Sequence, residues 1–249
     1  MPNPDRETTH FGFKDVTKTQ KGRMVRDVFN SVSPKYDLMN DLMSLGIHRY
    51  WKDSLLSWLS PQKHNVLLDV AGGTGDIAVR YGKRGGGTAV VCDVNEQMIN
   101  QGRTRHITPD ETSRIQWVCG DAEALPFPDQ SFDIYTIAFG LRNVTNIEKA
   151  LSEARRVLRP GGRFMCLEFS HLSVSALRPL YELYSFKILP EIGAVVAKDK
   201  NAYTYLVESI RKFPTQHHFL RLMEDAGLEQ TTHRNLSGGI AAIHSGWRF

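Results

Sequence analysis

Residues 65–76, NVLLDVAGGTGD, combine an apolar run, a carboxylate and a cluster of glycines. The apolar residues flank Asp69 without the alternation of a half-exposed strand, a pattern typical of a strand buried on both faces of a parallel sheet. The glycines allow the backbone to turn sharply and to approach a ligand before a helix begins near Asp76. The stretch therefore predicts the central strand of a parallel α/β sheet followed by a nucleotide-type binding loop.

Two further apolar runs also end in a carboxylate. Asp93 follows residues 88–92, and Asp121 follows residues 115–119 closely. Three successive strands ending in an acid favour a ligand site over a glycine turn that merely joins a strand to a helix. The glycine loop also fits the dinucleotide fingerprint G-x-G-x-x-G/A, so a nicotinamide oxidoreductase is an alternative at this point.

The order of these residues resembles that of class I S-adenosylmethionine-dependent methyltransferases. The resemblance implies that Asp69 helps to hold the methionine part of the cofactor, that Asp93 binds the ribose hydroxyls and that Asp121 lies beside the adenine. The cofactor carries hydroxyls, an ammonium and a sulfonium but no pyrophosphate, so hydrogen-bond acceptors are needed more than phosphate-binding amides. The predicted cofactor-binding residues are Asp69, Gly72, Gly73, Thr74, Gly75, Asp93, Asp121, Ala122 and Ala138. Some family members have a serine in place of Ala138, so a contact there would use the backbone.

The resemblance also implies the architecture: a Rossmann-like, mostly parallel seven-stranded sheet with helices on both faces. Residues 61–249 would form this methyltransferase domain, with a helical insertion at about 172–213. Apolar residues at helical spacing over residues 21–60 predict an N-terminal helical extension, residues 1–60, interrupted at Ser33-Pro34 and Gly46. Such an extension can form a lid that excludes water, although an apolar stripe is first of all a core face.

Composition sets further expectations. The 249 residues carry a formal net charge of +4 without long blocks of like charge, so nothing requires nucleic acid, and weak attraction to a membrane surface is compatible with the charge. The three cysteines show neither Cys-x-x-Cys nor zinc spacing, which predicts buried free thiols in a reducing compartment and no metal. Without a secretory signal or a membrane-spanning run, we expect a cytoplasmic protein, with peripheral contact at the inner face of the membrane left open.

Three longer strings narrow the family: YDLMNDLMSLGIHRYWK at 36–52, AFGLRNV at 138–144 and RVLRPGGRFMCLEFS at 156–170. Together they resemble the ubiquinone/menaquinone biosynthesis C-methyltransferase family, and the resemblance covers residues 11–249. It implies that the reduced ring of a polyprenylated benzoquinol or demethylmenaquinol is the methyl acceptor. A homodimer or a quinone-biosynthesis complex is left open. So are a methyltransferase for another small or lipid acceptor and a catalytically silent scaffold.

Catalytic residues are expected after the fourth strand of the domain and in the extension. Arg142 and Asn143 can donate hydrogen bonds to an oxygen of the acceptor, and Tyr36 completes the predicted catalytic set. The alternatives are that Arg142 pairs with a neighbouring acid and that Asn143 caps the helix predicted at 146–158. For the ring proton, the candidate acceptors are Tyr36, Asp37, His48, His171 and a water held by an arginine.

Overall fold

The computed structural model describes residues 8–32, 41, 44, 46–104, 114–173 and 200–249. Within these residues, the helices are α1 (Lys18–Val32), α2 (His48–Leu59), α3 (Asp76–Lys83), α4 (Glu96–Thr104), α5 (Ile147–Val157), α6 (Lys200–Lys212) and α7 (Gln216–Asp225). The strands are β1 (Thr8–Phe11), β2 (Lys14–Thr17), β3 (Leu67–Val70), β4 (Ala89–Asp93), β5 (Ile115–Cys119), β6 (Phe132–Ala138), β7 (Leu158–Phe169), β8 (Glu229–Leu236) and β9 (Ala241–Arg248).

Seven strands form one sheet in the order β5-β4-β3-β6-β7-β9-β8. The pairs from β5 to β7 are parallel, whereas β9 runs antiparallel to both β7 and β8. The chain passes from β3 outward through β4 and β5 and then returns to β6 on the other side of β3. This reversal leaves a crevice at the carboxyl ends of β3 and β6, where open α/β sheets bind ligands. The mostly parallel seven-stranded sheet is confirmed.

Helices cover both faces of the sheet. Successive residues of β3 point to opposite faces, so Leu67 packs into a cluster with α2, α3 and α6, whereas Leu68 packs into a cluster with α5 and α7. Trp51 and Leu55 of α2 are buried in the first cluster, which fixes this helix against the sheet. A strand that is covered on both faces does not need to alternate apolar and polar residues, which explains the apolar run around Asp69.

The structure corrects two expectations. The N-terminal extension contains an antiparallel hairpin, β1 and β2, that the helical pattern did not predict. Cys119 is exposed, whereas Cys92 and Cys166 are buried free thiols as expected. The physical reason is that Cys119 ends β5, which is an edge strand and therefore lacks a covering neighbour on one side.

Some expectations lie partly outside the described residues. These include most of 33–45 in the extension and residues 174–199 of the insertion, so the division at residue 60 stays a prediction. The end of the insertion is described and is the helix α6. In the part of the chain that the structure describes, none of the helices has both the length and the apolar character required to cross a bilayer.

Candidate functional site

A cleft of about 180 Å³ lies at the carboxyl ends of the central strands. Five residues of the predicted site border it: Gly73, Asp93, Asp121, Ala122 and Asn143. Helix α1 contributes Gly22, Val25 and Arg26 to the lining of the cleft, so part of the N-terminal extension borders it. Six other predicted residues are described but are not among those that border the cleft: Asp69, Gly72, Thr74, Gly75, Ala138 and Arg142.

The glycine loop has a shape that side chains would prevent. A Cβ atom at Gly72 would lie 2.8 Å from Asp69 Oδ2, and one at Gly75 would lie 2.6 Å from Trp117 Cη2. Gly73 and Gly75 also have φ angles of 56° and 78°, in the left-handed region that favours glycine. The loop therefore needs its glycines both for close packing and for backbone conformation, as the sequence predicted.

Asp93 combines support for the loop with free acceptor capacity. Its Oδ2 accepts a hydrogen bond from Gly73 N at 2.9 Å and its Oδ1 accepts one from Asn95 N at 2.8 Å. Burial raises the pKa of Asp93, and these two backbone donors partly offset that effect. A carboxylate has about four lone-pair positions, so two remain for hydroxyl groups of a ligand in the cleft.

Asp69 is fully buried beneath the loop. Thr136 donates from Oγ1 to Asp69 Oδ1 at 2.8 Å, whereas Asp69 Oδ2 has no hydrogen-bond partner. Burial raises the pKa of this carboxyl from 3.8 to about 7, and the Thr136 hydrogen bond and Lys52 only partly counter the shift. A buried acceptor without a partner costs stability, and such groups mark candidate functional sites.

The third acid lies at the other end of the cleft. Asp121 is exposed, and its Oδ1 accepts a hydrogen bond from Glu123 N at 2.9 Å. The next residue, Ala122, is buried. This turn therefore places a carboxylate and a buried alanine together at the cleft.

Arg142 forms a buried ion pair. Its Nη1 donates to Glu168 Oε1 at 2.7 Å, and the side chains of Arg142 and Glu168 are only 2% and 0% exposed. The same nitrogen donates to the Phe139 carbonyl oxygen, and the guanidinium lies over the Phe169 ring. The interpretation that Arg142 pairs with a neighbouring acid is thus confirmed. Its Nε is nevertheless buried without a hydrogen-bond partner.

Asn143 does not cap the following helix, so that interpretation is wrong. Asn146 is the cap of α5, because its Oδ1 accepts a hydrogen bond from Lys149 N at 2.8 Å. Asn143 instead borders the cleft and accepts a hydrogen bond at Oδ1 from Tyr205 Oη at 3.0 Å. Its Nδ2 is buried without a partner.

Residues that the sequence did not single out fix the backbone of the same loop. Lys21 Nζ donates to the Val144 carbonyl at 2.8 Å. Glu123 Oε1 accepts from the backbone nitrogens of Thr145 and Asn146 at 2.8 and 2.9 Å. Burial lowers the pKa of Lys21 to about 8, although Glu123 opposes the shift. No local signal could identify these partners, since 22 to 123 positions separate them from the loop.

The two described candidates for the proton acceptor have structural partners. His48 Nδ1 lies 3.0 Å from Ser44 Oγ, and burial lowers the pKa of His48. His171 Nε2 lies 2.8 Å from the Phe213 carbonyl oxygen, to which it donates. Neither histidine is among the residues that border the cleft. Tyr36 and Asp37 lie outside the described residues.

Comparison with known proteins identifies close relatives. Residues 14–248 match the model of the ubiE/COQ5 methyltransferase family. The ubiquinone/menaquinone biosynthesis C-methyltransferase UbiE of Roseobacter denitrificans is 53% identical over 249 residues, which is 100% of both chains. The protein of the same name from Rhodopseudomonas palustris is 54% identical over 251 residues and 99% of each chain.

A solved structure supports the fold. The SAM-dependent methyltransferase of Thermotoga maritima superposes with a TM-score of 0.65 and 20% identity. The match covers 90% of the present chain and 99% of that chain. At this identity the similarity concerns the fold alone.

Proposed function

Since this chain belongs to the ubiE/COQ5 methyltransferase family, we propose that it transfers a methyl group from S-adenosylmethionine to a ring carbon of a quinol in ubiquinone and menaquinone biosynthesis. The acceptor is the reduced ring of a polyprenylated benzoquinol or of a demethylmenaquinol. Identity above 50% over the full length of relatives with this name supports the assignment, and favours it over the nicotinamide enzyme.

The residues around the cleft fit the cofactor chemically. When bound, S-adenosylmethionine supplies an electrophilic methyl group on a sulfonium. Asp93 retains lone pairs for the ribose hydroxyls, Asp121 and Ala122 would meet the adenine, and the unpartnered Oδ2 of Asp69 would accept from the ammonium group. Gly72, Gly73, Thr74 and Gly75 would form the loop against the cofactor, with Ala138 contributing only backbone. These roles are proposals that rest on acceptor placement.

The reaction needs negative charge on an oxygen of the acceptor. A hydroquinone that loses a hydroxyl proton pushes electron density onto the ring carbon, which then forms the bond to the methyl group. This attack would leave the electron pair of the carbon–sulfur bond on sulfur, and the ring would then lose a proton to restore aromaticity. The protein must therefore align the carbon, stabilise the phenolate and accept a proton.

Two unpartnered donors support the proposal that the protein stabilises the phenolate. Arg142 Nε and Asn143 Nδ2 are adjacent in sequence, buried and without protein partners. Asn143 borders the cleft, and Arg142 precedes it in the 3-10 turn Leu141–Asn143 without itself bordering the cleft. A buried donor without an acceptor is costly, so an acceptor on a ligand is the best explanation for the two unpartnered donors of this turn. We assign both donors to the phenolate oxygen. Their placement by the Glu168 ion pair and Tyr205 means that little reorganisation is needed when charge develops.

Further roles remain proposals. Tyr36 is kept as a catalytic candidate from its family string, and helix α1 would act as the lid because three of its residues border the cleft. The partners that hold His48 and His171 make them weaker candidates for the proton acceptor, which leaves Tyr36, Asp37 or a water held by Arg142.

The test is methyl transfer from labelled S-adenosylmethionine to a short-tailed demethylated quinol, with and without dithionite. We expect carbon methylation that requires the reductant, located on the ring by NMR of the product. Equal methylation of the oxidised quinone, or methylation on oxygen, would contradict the phenolate mechanism. Cofactor binding without methylation of either redox form would contradict the acceptor assignment.

We also propose peripheral contact with an anionic membrane, which would bring the enzyme to a prenylated substrate. Phe13, in the turn between β1 and β2, is 53% exposed beside the exposed Lys14, and Lys212 Nζ lies 6.0 Å from its ring centroid. An exposed aromatic ring next to cations suits an anionic lipid surface. We expect Phe13→Ala to reduce flotation with anionic vesicles, whereas Phe249→Ala, at another exposed ring, should not.

Vesicles of neutral lipid should bind weakly, and equal binding to both lipid types would contradict the charge argument.

Association with a second copy or with other quinone-biosynthesis enzymes is a separate proposal. Light scattering on the purified chain tests the homodimer directly.

A further inference from the structure

Tyr205 and Asn143 connect helix α6 to the loop after β6. Tyr205 Oη donates to Asn143 Oδ1 at 3.0 Å across 62 positions of sequence. A side-chain amide has an acceptor end and a donor end, so while Tyr205 Oη donates to Oδ1, Nδ2 points away from Tyr205. Asn143 borders the cleft, and its Nδ2 is buried without a protein partner. The hydrogen bond from Tyr205 therefore leaves Nδ2, the donor end of the amide, available to a ligand.

The Tyr205 ring is itself held in place. It stacks on Phe11 of β1 with a centroid distance of 4.0 Å and an interplanar angle of 11°. Burial raises the pKa of the Tyr205 hydroxyl above 10.0, so the hydroxyl keeps its proton and acts as a donor at neutral pH. Phe11 thus holds the ring whose hydroxyl donates to Asn143 at the cleft.

We propose that Tyr205 is a positioning residue that holds the Asn143 amide with Nδ2 toward the acceptor oxygen on which negative charge develops. This inference rests on the proposed function, because that oxygen belongs to the quinol. If the Tyr205 hydroxyl is removed, the amide can rotate and present Oδ1 to the oxyanion. A neutral hydroxyl in the ground state tolerates either orientation, since it can donate or accept. Removal of the Tyr205 hydroxyl should therefore lower kcat more than it raises KM.

The test is a double-mutant cycle on methyl transfer. Asn143→Ala removes one donor to an oxyanion and should lower kcat by about 100-fold. Tyr205→Phe releases the amide, and the loss of one hydrogen bond should lower kcat about tenfold. If Tyr205 acts through Asn143, the double variant should be no slower than Asn143→Ala. Tyr81→Phe is the matched control: its buried hydroxyl donates to the Asn65 carbonyl at 2.9 Å and is expected to leave kcat unchanged.

A second readout does not depend on turnover. In protein labelled with ¹⁵N-asparagine, the Asn143 side-chain amide signal, assigned by its loss in Asn143→Ala, should be a single pair of cross-peaks in the native protein, one for each Nδ2 proton. In folded Tyr205→Phe it should broaden or split as the amide samples two orientations. An unchanged signal, an unchanged kcat, or additive losses in the double variant would overturn the inference. If the native enzyme methylates no quinol, the proposed function fails, and the amide signal alone then decides the role of Tyr205.

Discussion

Replacing Asp69 with asparagine should change how the stability of the cofactor-free protein depends on pH. Burial raises the pKa of Asp69 from 3.8 to about 7, so the folded protein binds this proton more tightly than the unfolded chain does. Ionisation of Asp69 therefore destabilises the fold. The cost is absent below pH 3.8, grows as the pH rises and is complete above pH 7. Asparagine cannot ionise and removes the dependence.

The magnitude follows from the shift. Each unit of pKa difference corresponds to about 1.36 kcal/mol, so the full cost above pH 7 is about 4 kcal/mol. Between pH 5 and pH 8 the cost grows over about two units, or about 2.5 kcal/mol. Thr136 can donate to the asparagine Oδ1 as it does to the carboxylate. The new Nδ2 would be buried without a partner, but that penalty is the same at both pH values and cancels in the comparison.

The assay is urea unfolding of the cofactor-free native protein and Asp69→Asn at pH 5 and pH 8. The stability of Asp69→Asn relative to the native protein should rise by about 2.5 kcal/mol between the two pH values. Asp76→Asn is the matched control. Burial alone would raise the pKa of Asp76, but Lys52 and Arg80 outweigh it and lower the pKa to about 2. Since Asp76 is ionised in both states above pH 5, its variant should show only a much smaller change, through the minor effect of the Asp76 charge on the pKa of Asp69. A difference below 0.5 kcal/mol for Asp69→Asn, a small fraction of the expected effect, would refute the reasoning.

Two further substitutions test the packing of the site. Glu168→Gln leaves the charge of Arg142 buried without its counter-ion and should cost about 3 kcal/mol in urea unfolding; a loss below about 1 kcal/mol would contradict the importance of the ion pair. Gly75→Ala places Cβ against Trp117 at a φ of 78° and should cost about 2 kcal/mol, lowering Tm. Gly82→Ala, in α3 with open space around it, should instead raise Tm through a gain of about 0.5 kcal/mol.

Local patterns predicted the central sheet well. The runs that became β3 and β4 are apolar because they are covered on both faces of the sheet. The acids Asp69, Asp93 and Asp121 lie at or near the carboxyl ends of β3, β4 and β5. Of these acids, Asp93 and Asp121 border the cleft, and Asp69 lies buried beneath the glycine loop. The antiparallel strands β8 and β9 flank the 3-10 turn Ser237–Gly239.

Weaker local signals explain the errors. Strands β1 and β2 contain four residues each and are mostly polar, so they carry too little periodicity to be recognised. The exposure of Cys119 depends on β5 being at the sheet edge, which follows from strand order and not from the strand itself. The sequence offered Asn143 as the cap of α5, and only the tertiary structure shows that Asn146 takes this role.

The sequence by itself determined the family, the parallel sheet, the glycine loop and the acids at the strand ends. These features depend on residues that are adjacent along the chain, because local sequence patterns determine a strand and the turn that follows it. Only the tertiary structure decided that Glu168 holds Arg142 and that Tyr205 holds Asn143. Such contacts join side chains far apart in sequence, and they exist only after the sheet and its helices have packed. The orientation of the Asn143 amide at the cleft is therefore a property of the folded core.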